Sequence, residues 1–91
     1  AEAVRLLSDQ VLLDPRAVSR RFELGQAKRG LALTELERRR PESARREAAD
    51  AVAVFDAAFA LDPSPQNRFM YAATLGTLAE AEWAMKRSRE A

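Results

Sequence analysis

The chain has 91 residues, 15 basic and 14 acidic side chains, and neither cysteine nor histidine, which excludes disulfide staples, thiol chemistry, ordinary zinc sites and the usual general base near neutral pH. A net charge of +1 is too balanced for a dedicated nucleic-acid footprint. Much of the 47% apolar content is alanine, a strong helix former with little volume, so closely packed helices are favoured over a bulky sandwich core.

Apolar spacing, prolines and N-cap residues divide the chain into four predicted helices. The first runs from about Glu2 to Leu13, with Val4, Leu7 and Val11 on one face. Asp14-Pro15 closes it and opens the second, because proline suits the first helical turn and the preceding Asp can cap it. The second carries Val18, Phe22, Gly25, Arg29, Ala32 and Leu36 on one stripe, with Leu24 and Leu31 beside it. It ends near Arg40, since the residue before Pro41 is pushed out of the α region. The third starts at Pro41 or Glu42 and places Ala44, Ala48, Ala51, Val52, Phe55, Ala58 and Phe59 on a broad apolar face. Asp62-Pro63-Ser64-Pro65 stops it, with Ser64 as the next N-cap. The fourth puts Phe69, Ala72, Ala73, Gly76, Ala79 and Trp83 on its stripe and frays after Lys86. No strand pattern is present, and the longest uncharged run, Phe69 to Ala79, is about half of what a membrane span needs.

Several weaker expectations follow from composition. A domain this small without cysteine suits a reducing cytoplasm. Thirteen arginines and many alanines suggest the codon bias of a GC-rich bacterial genome. The opening Ala1-Glu2-Ala3-Val4 is helical from the start and lacks a signal-peptide layout, so a single domain over 1–91, cut from a longer protein, is expected.

The most informative feature is an internal repeat. Leu13-Asp14-Pro15 recurs as Leu61-Asp62-Pro63, 48 residues later. In both copies an alanine (Ala3, Ala51) precedes a large residue (Leu7, Phe55) by four positions, and that residue precedes the proline by eight. With these motifs the chain resembles the tetratricopeptide repeat family. Ala51 to Pro63 looks like that family's second-helix consensus, and Phe22-Glu23-Leu24-Gly25-Gln26-Ala27 like the small-residue motif of its first helix. Small residues at Gly25, Ala51 and Ala58 would let helix backbones approach, with Phe55 filling the gap. Three departures stand out. Arg21 and Lys28 occupy the family's Trp and Tyr positions, the last helix has Ala72-Ala73 at the position equivalent to Leu24-Gly25, and the period of 48 exceeds the family's value of about 34. The excess falls between Gly30 and Ala49 and predicts a lengthened hairpin lined by Leu33, Leu36, Ala44 and Ala48, in preference to a flexible insert.

The resemblance implies an all-α solenoid of four helices stacked as antiparallel hairpins, whose concave surface is formed by the first helix of each hairpin. Carried over by position, that surface consists of Ser19, Phe22, Gln26 and Arg29, and of Asn67, Met70, Thr74 and Thr77. Against this stand an unrelated helical bundle, and Phe22 and Met70 as plain core. The arginines Arg38, Arg39, Arg40, Arg45 and Arg46 could draw an acidic or phosphate partner to the hairpin tip, but interleaved Glu35, Glu37, Glu42, Glu47 and Asp50 predict a self-neutralised tip. Trp83, Met85 and the open face of the first helix are candidates for core, cap or self-association. Ser8, Ser19, Ser43, Ser64 and Ser88 have no histidine to activate them, and no Gly-rich phosphate loop is present. The sequence therefore reads as a non-enzymatic interaction or scaffolding module, without cofactor or metal, for a protein or peptide partner. The rival reading is a homodimerisation module; nucleic acid is a weaker third.

Overall fold

The computed structural model describes the backbone of residues 15–90 and the side chains of residues 19–89, so the predicted first helix, Glu2 to Leu13, lies outside the described residues. The described chain is all-helical. Three helices follow one another, α1 (Pro15–Glu37), α2 (Pro41–Leu61) and α3 (Pro65–Glu90). Each begins on a proline, whose fixed φ suits the first turn and whose missing N–H would have no intrahelical acceptor there. α2 lies between the other two and contacts both along its length, while α1 and α3 touch more narrowly.

The two turns follow from local chemistry. α1 ends at Glu37, three residues before the predicted stop at Arg40, because Arg39 adopts a left-handed conformation with φ 60. The Arg40 N–H then donates to the Glu35 carbonyl at 2.8 Å and the Arg39 N–H to that of Leu36 at 3.1 Å, the paired bonds that close a helix around a left-handed residue. A side chain in that conformation costs about 1–2 kcal/mol, and glycine costs about 0.5–1 kcal/mol in backbone entropy instead. Arg39→Gly is therefore expected to stabilise the fold by about 0.5–1 kcal/mol and to raise the thermal midpoint by about 2–6 °C; an unchanged or lower midpoint would contradict the turn geometry. At the second turn α2 stops at Leu61, Asp62 is extended, and its N–H donates to the Ala58 carbonyl. Ser64 caps α3, its Oγ accepting from the Asn67 N–H at 3.2 Å.

The core is made mostly of alanine. Ala32, Ala44, Ala48, Ala51, Ala58 and Ala81 are fully buried, and among the described residues the one large apolar side chain that is fully buried with them is Phe55. Its ring reaches so close to Gly25 that a Cβ there would stand 2.6 Å from the ring tip. The small-residue approach predicted from sequence is thus the contact that joins α1 to α2. Phe22 meets Phe55 edge-on, with ring centroids 5.8 Å apart. The extra residues of the long period form continuous helix on both sides of the tip. Ala44 and Ala48 line that extension as expected and Leu36 is half-buried, but Leu33 is exposed.

Two predicted faces are corrected. Leu24 and Leu31, placed beside the α1 stripe, are about half exposed. On α3 the predicted apolar stripe points outward. Phe69, Ala72, Gly76, Ala79 and Trp83 are exposed, and the packed face consists of Asn67, Thr74, Thr77 and Ala81.

Candidate interaction surface

The eight residues expected on a concave surface divide into two groups. Ser19 and Gln26 are exposed on α1, and Phe22, Arg29 and Met70 are half-buried. Asn67, Thr74 and Thr77 are buried, and their polar groups are used inside the chain. The Asn67 amide donates to the Asp62 carbonyl at 2.7 Å, tying the second turn to α3. The Thr74 hydroxyl donates to the Met70 carbonyl at 2.6 Å and that of Thr77 to Ala73 at 3.2 Å. Thr77 Oγ1 also accepts from Arg29 Nε at 3.2 Å, so two of the predicted residues, 48 positions apart, do meet across α1 and α3. Of these three, Thr77 joins α3 to α1 and Asn67 ties α3 to the second turn, so the accessible part of the predicted surface is mainly its α1 half.

Charges fix the α1–α2 seam. Lys28, at a position where the resembled family has an aromatic anchor, reaches across to Glu47 at 3.3 Å and Asp50 at 3.5 Å. The hydrogen bond to Glu47 and its negative charge, reinforced by Asp50, hold the Lys28 pKa above its ordinary 10.5. On the α2–α3 seam the Asp56 carboxylate, by hydrogen bonding and by charge, raises the Tyr71 phenol above 10.0, beside a tilted contact of Tyr71 with Phe59. In both cases the folded chain holds its proton more tightly than the unfolded chain. The stabilisation is therefore complete below the unfolded pKa values and is lost as pH rises through the folded ones. The urea midpoint is expected to be level from neutral pH to about pH 10 and to fall above it. Lys28→Met combined with Tyr71→Phe is expected to flatten the alkaline fall, and an equally steep fall in that double variant would refute the assignment.

At the tip, Glu35 gathers Arg38 and Arg40 at 4.0 and 3.9 Å, while Glu47 turns to Lys28. Two of the five tip arginines thus share one carboxylate, so the expected neutralisation of the tip is only partial. Arg40 and Arg46 also face Met85, Ser88 and Arg89 of α3 across a shallow cavity of about 420 Å³. Sequence reasoning left Arg89 in a frayed tail; the unbroken helical propensity of Glu80 to Arg89 was the available sign that α3 reaches the tip.

The largest exposed apolar groups lie elsewhere, on the outer side of α3. Phe69 is 70% exposed, Trp83 59% and Leu75 44%. Among the described residues no group of three or more acidic side chains is placed to hold a metal ion, and no helix is long and apolar enough to cross a membrane. No family model matches the chain, and no curated protein or solved structure matches it either. The tetratricopeptide resemblance therefore rests on the sequence motifs alone.

Proposed function

We propose that this chain is a protein–protein interaction module, a divergent tetratricopeptide-like stack of lengthened helical hairpins that binds a helix or peptide of a partner. The observation that carries this reading is the apolar outer face of α3, where Phe69 and Trp83 stand largely in solvent. Such surface on a small helical chain marks a contact site, and a helix laid in an apolar groove is the recognition mode that helical stacks offer. On α1, Ser19, Phe22, Gln26 and Arg29 provide a second, more polar strip for the same purpose. The reading assigns the chain no catalysis and no cofactor. A bacterial, cytoplasmic protein fits the composition.

A titration at low micromolar chain concentration tests it. A panel of amphipathic helical peptides with apolar anchors at i, i+3, i+4 and i+7 is added while Trp83 emission and the amide resonances of 19–29 and 67–83 are followed. Binding by at least one peptide, with shifts confined to one of the two strips, is expected. If every peptide leaves both strips unmoved, the module reading fails. Self-association is the second reading, and the pattern of side chains along α3 favours it.

A further inference from the structure

α3 has two faces and only one of them is covered. Asn67, Thr74, Thr77 and Ala81 pack against the other helices, while Phe69, Gly76 and Trp83 run along the opposite side, exposed and seven residues apart. Seven residues are about two helical turns, so the three lie in line along the axis. A neighbouring line with the same spacing holds Arg68, Leu75 and Glu82, all exposed. We infer that α3 pairs with α3 of a second copy of this chain, antiparallel and about a two-fold axis passing between Leu75 and Gly76. This inference rests on the interaction-module reading and names its partner.

A two-fold interface uses one patch twice, so the patch must match itself when turned end over end. Turned about the point between Leu75 and Gly76, Ala72 meets Ala79 and Leu75 meets Gly76 of the second copy. The crossing is then built from small side chains, with one leucine on each side set over a glycine. That gap is open, since nothing lies within 4 Å of where a Cβ on Gly76 would stand. Inside the chain Phe55 fills the comparable gap at Gly25, and at Gly76 Leu75 of the second copy takes that role. The same rotation brings Phe69 level with Trp83 of the other copy, to within one helical rise of about 1.5 Å.

Charge selects the direction. In the antiparallel pair Arg68 falls beside Glu82 of the second copy, twice over. A parallel pair would set Arg68 against Arg68 and Glu82 against Glu82. The area is sufficient for a weak dimer. Aromatic side chains offer about 150–250 Å² each, so the exposed parts of Phe69 and Trp83, with Leu75, the small residues and the charged flank, give about 500–600 Å² per copy. The pair buries about 1,000–1,200 Å², at the low end of specific interfaces.

Sedimentation equilibrium of the whole chain from about 5 μM to about 1 mM tests the pairing. A monomer–dimer equilibrium is expected within that range. Gly76→Lys, which meets no neighbour within its own chain, is expected to keep the helical circular dichroism and to weaken the dimer at least tenfold. Arg68→Glu is expected to weaken it about three- to tenfold, and adding Glu82→Arg to restore it. The chain has no cysteine, so single thiols report geometry directly. Leu75→Cys, next to the axis, is expected to oxidise to a disulfide-linked dimer. Phe69→Cys is not, because its two copies would lie about 20 Å apart, beyond the reach of a disulfide. A monomer at every concentration, a dimer indifferent to Gly76→Lys, or a Phe69→Cys variant that cross-links as readily as Leu75→Cys would each overturn the inference. None of these results touches the peptide titration, which is read on the dilute monomer.

Discussion

Replacing Phe55 by alanine is expected to cost about 3–5 kcal/mol, the range for truncating a buried phenylalanine whose surroundings cannot collapse into the space. Collapse does not help here, for a physical reason. The fully buried neighbours are mostly alanines, which have no side-chain freedom with which to refill a ring-sized hole. The edge-on contact with Phe22 goes at the same time, a further loss of about 0.5–1.5 kcal/mol that the range already includes in part. A domain of this size has a total stability of about 5–10 kcal/mol, so the variant should lose about a third or more of its urea midpoint. Phe55→Leu keeps most of the volume and should lose far less. Chemical denaturation followed by circular dichroism reads both. A Phe55→Ala loss below about 1 kcal/mol would mean that α1 and α2 are not held by this ring.

Phe55 was also the residue most legible in the sequence. Its spacing to Ala51, Ala58 and the Asp62-Pro63 corner announced a packing helix, and Gly25 announced the close approach that the ring completes. The turns were equally readable, because Pro41, Pro65 and Ser64 act through local sterics and capping that need no tertiary context. The orientation of α3 was not readable. Their positions in the repeat place Asn67, Thr74 and Thr77 on the surface, and the hydropathy pattern, which counts threonine as polar, gives no sign against it. Within a helix, however, a threonine hydroxyl can bond the carbonyl four residues back, as Thr74 does to Met70 and Thr77 to Ala73. Its methyl then packs like that of a small apolar residue, and the more apolar stripe of the same helix is left outside. Of the surface predicted from the repeat, Ser19 and Gln26 on α1 are exposed, while Phe22 and Arg29 are half-buried against the other helices. The early end of α1 was hidden as well. A left-handed residue is expected to be glycine, and here three successive arginines mask it.

The three glycines convert this reading into a second large expected effect, one in which helix propensity and packing oppose each other. In an exposed helix Gly→Ala gains about 1 kcal/mol. Gly30 and Gly76 have nothing within 4 Å of an added Cβ, so alanine at either position should stabilise the fold by about 0.5–1 kcal/mol in a dilute sample. At Gly25 the added carbon would stand 2.6, 2.7 and 2.9 Å from three carbons of the Phe55 ring. The ring cannot retreat, because it is fully buried among side chains that are already packed. Overpacking of this kind costs about 1–3 kcal/mol beyond the propensity gain, so Gly25→Ala should destabilise where its two counterparts stabilise, and Gly25→Val should do so more strongly. Shortening the ring ought to relieve the clash. In a double-mutant cycle Gly25→Ala and Phe55→Leu should therefore couple favourably by about 1 kcal/mol or more. Three glycine variants that all stabilise alike would show that Gly25 and Phe55 are not in contact, and with that contact the packing of α1 on α2 would have to be redrawn.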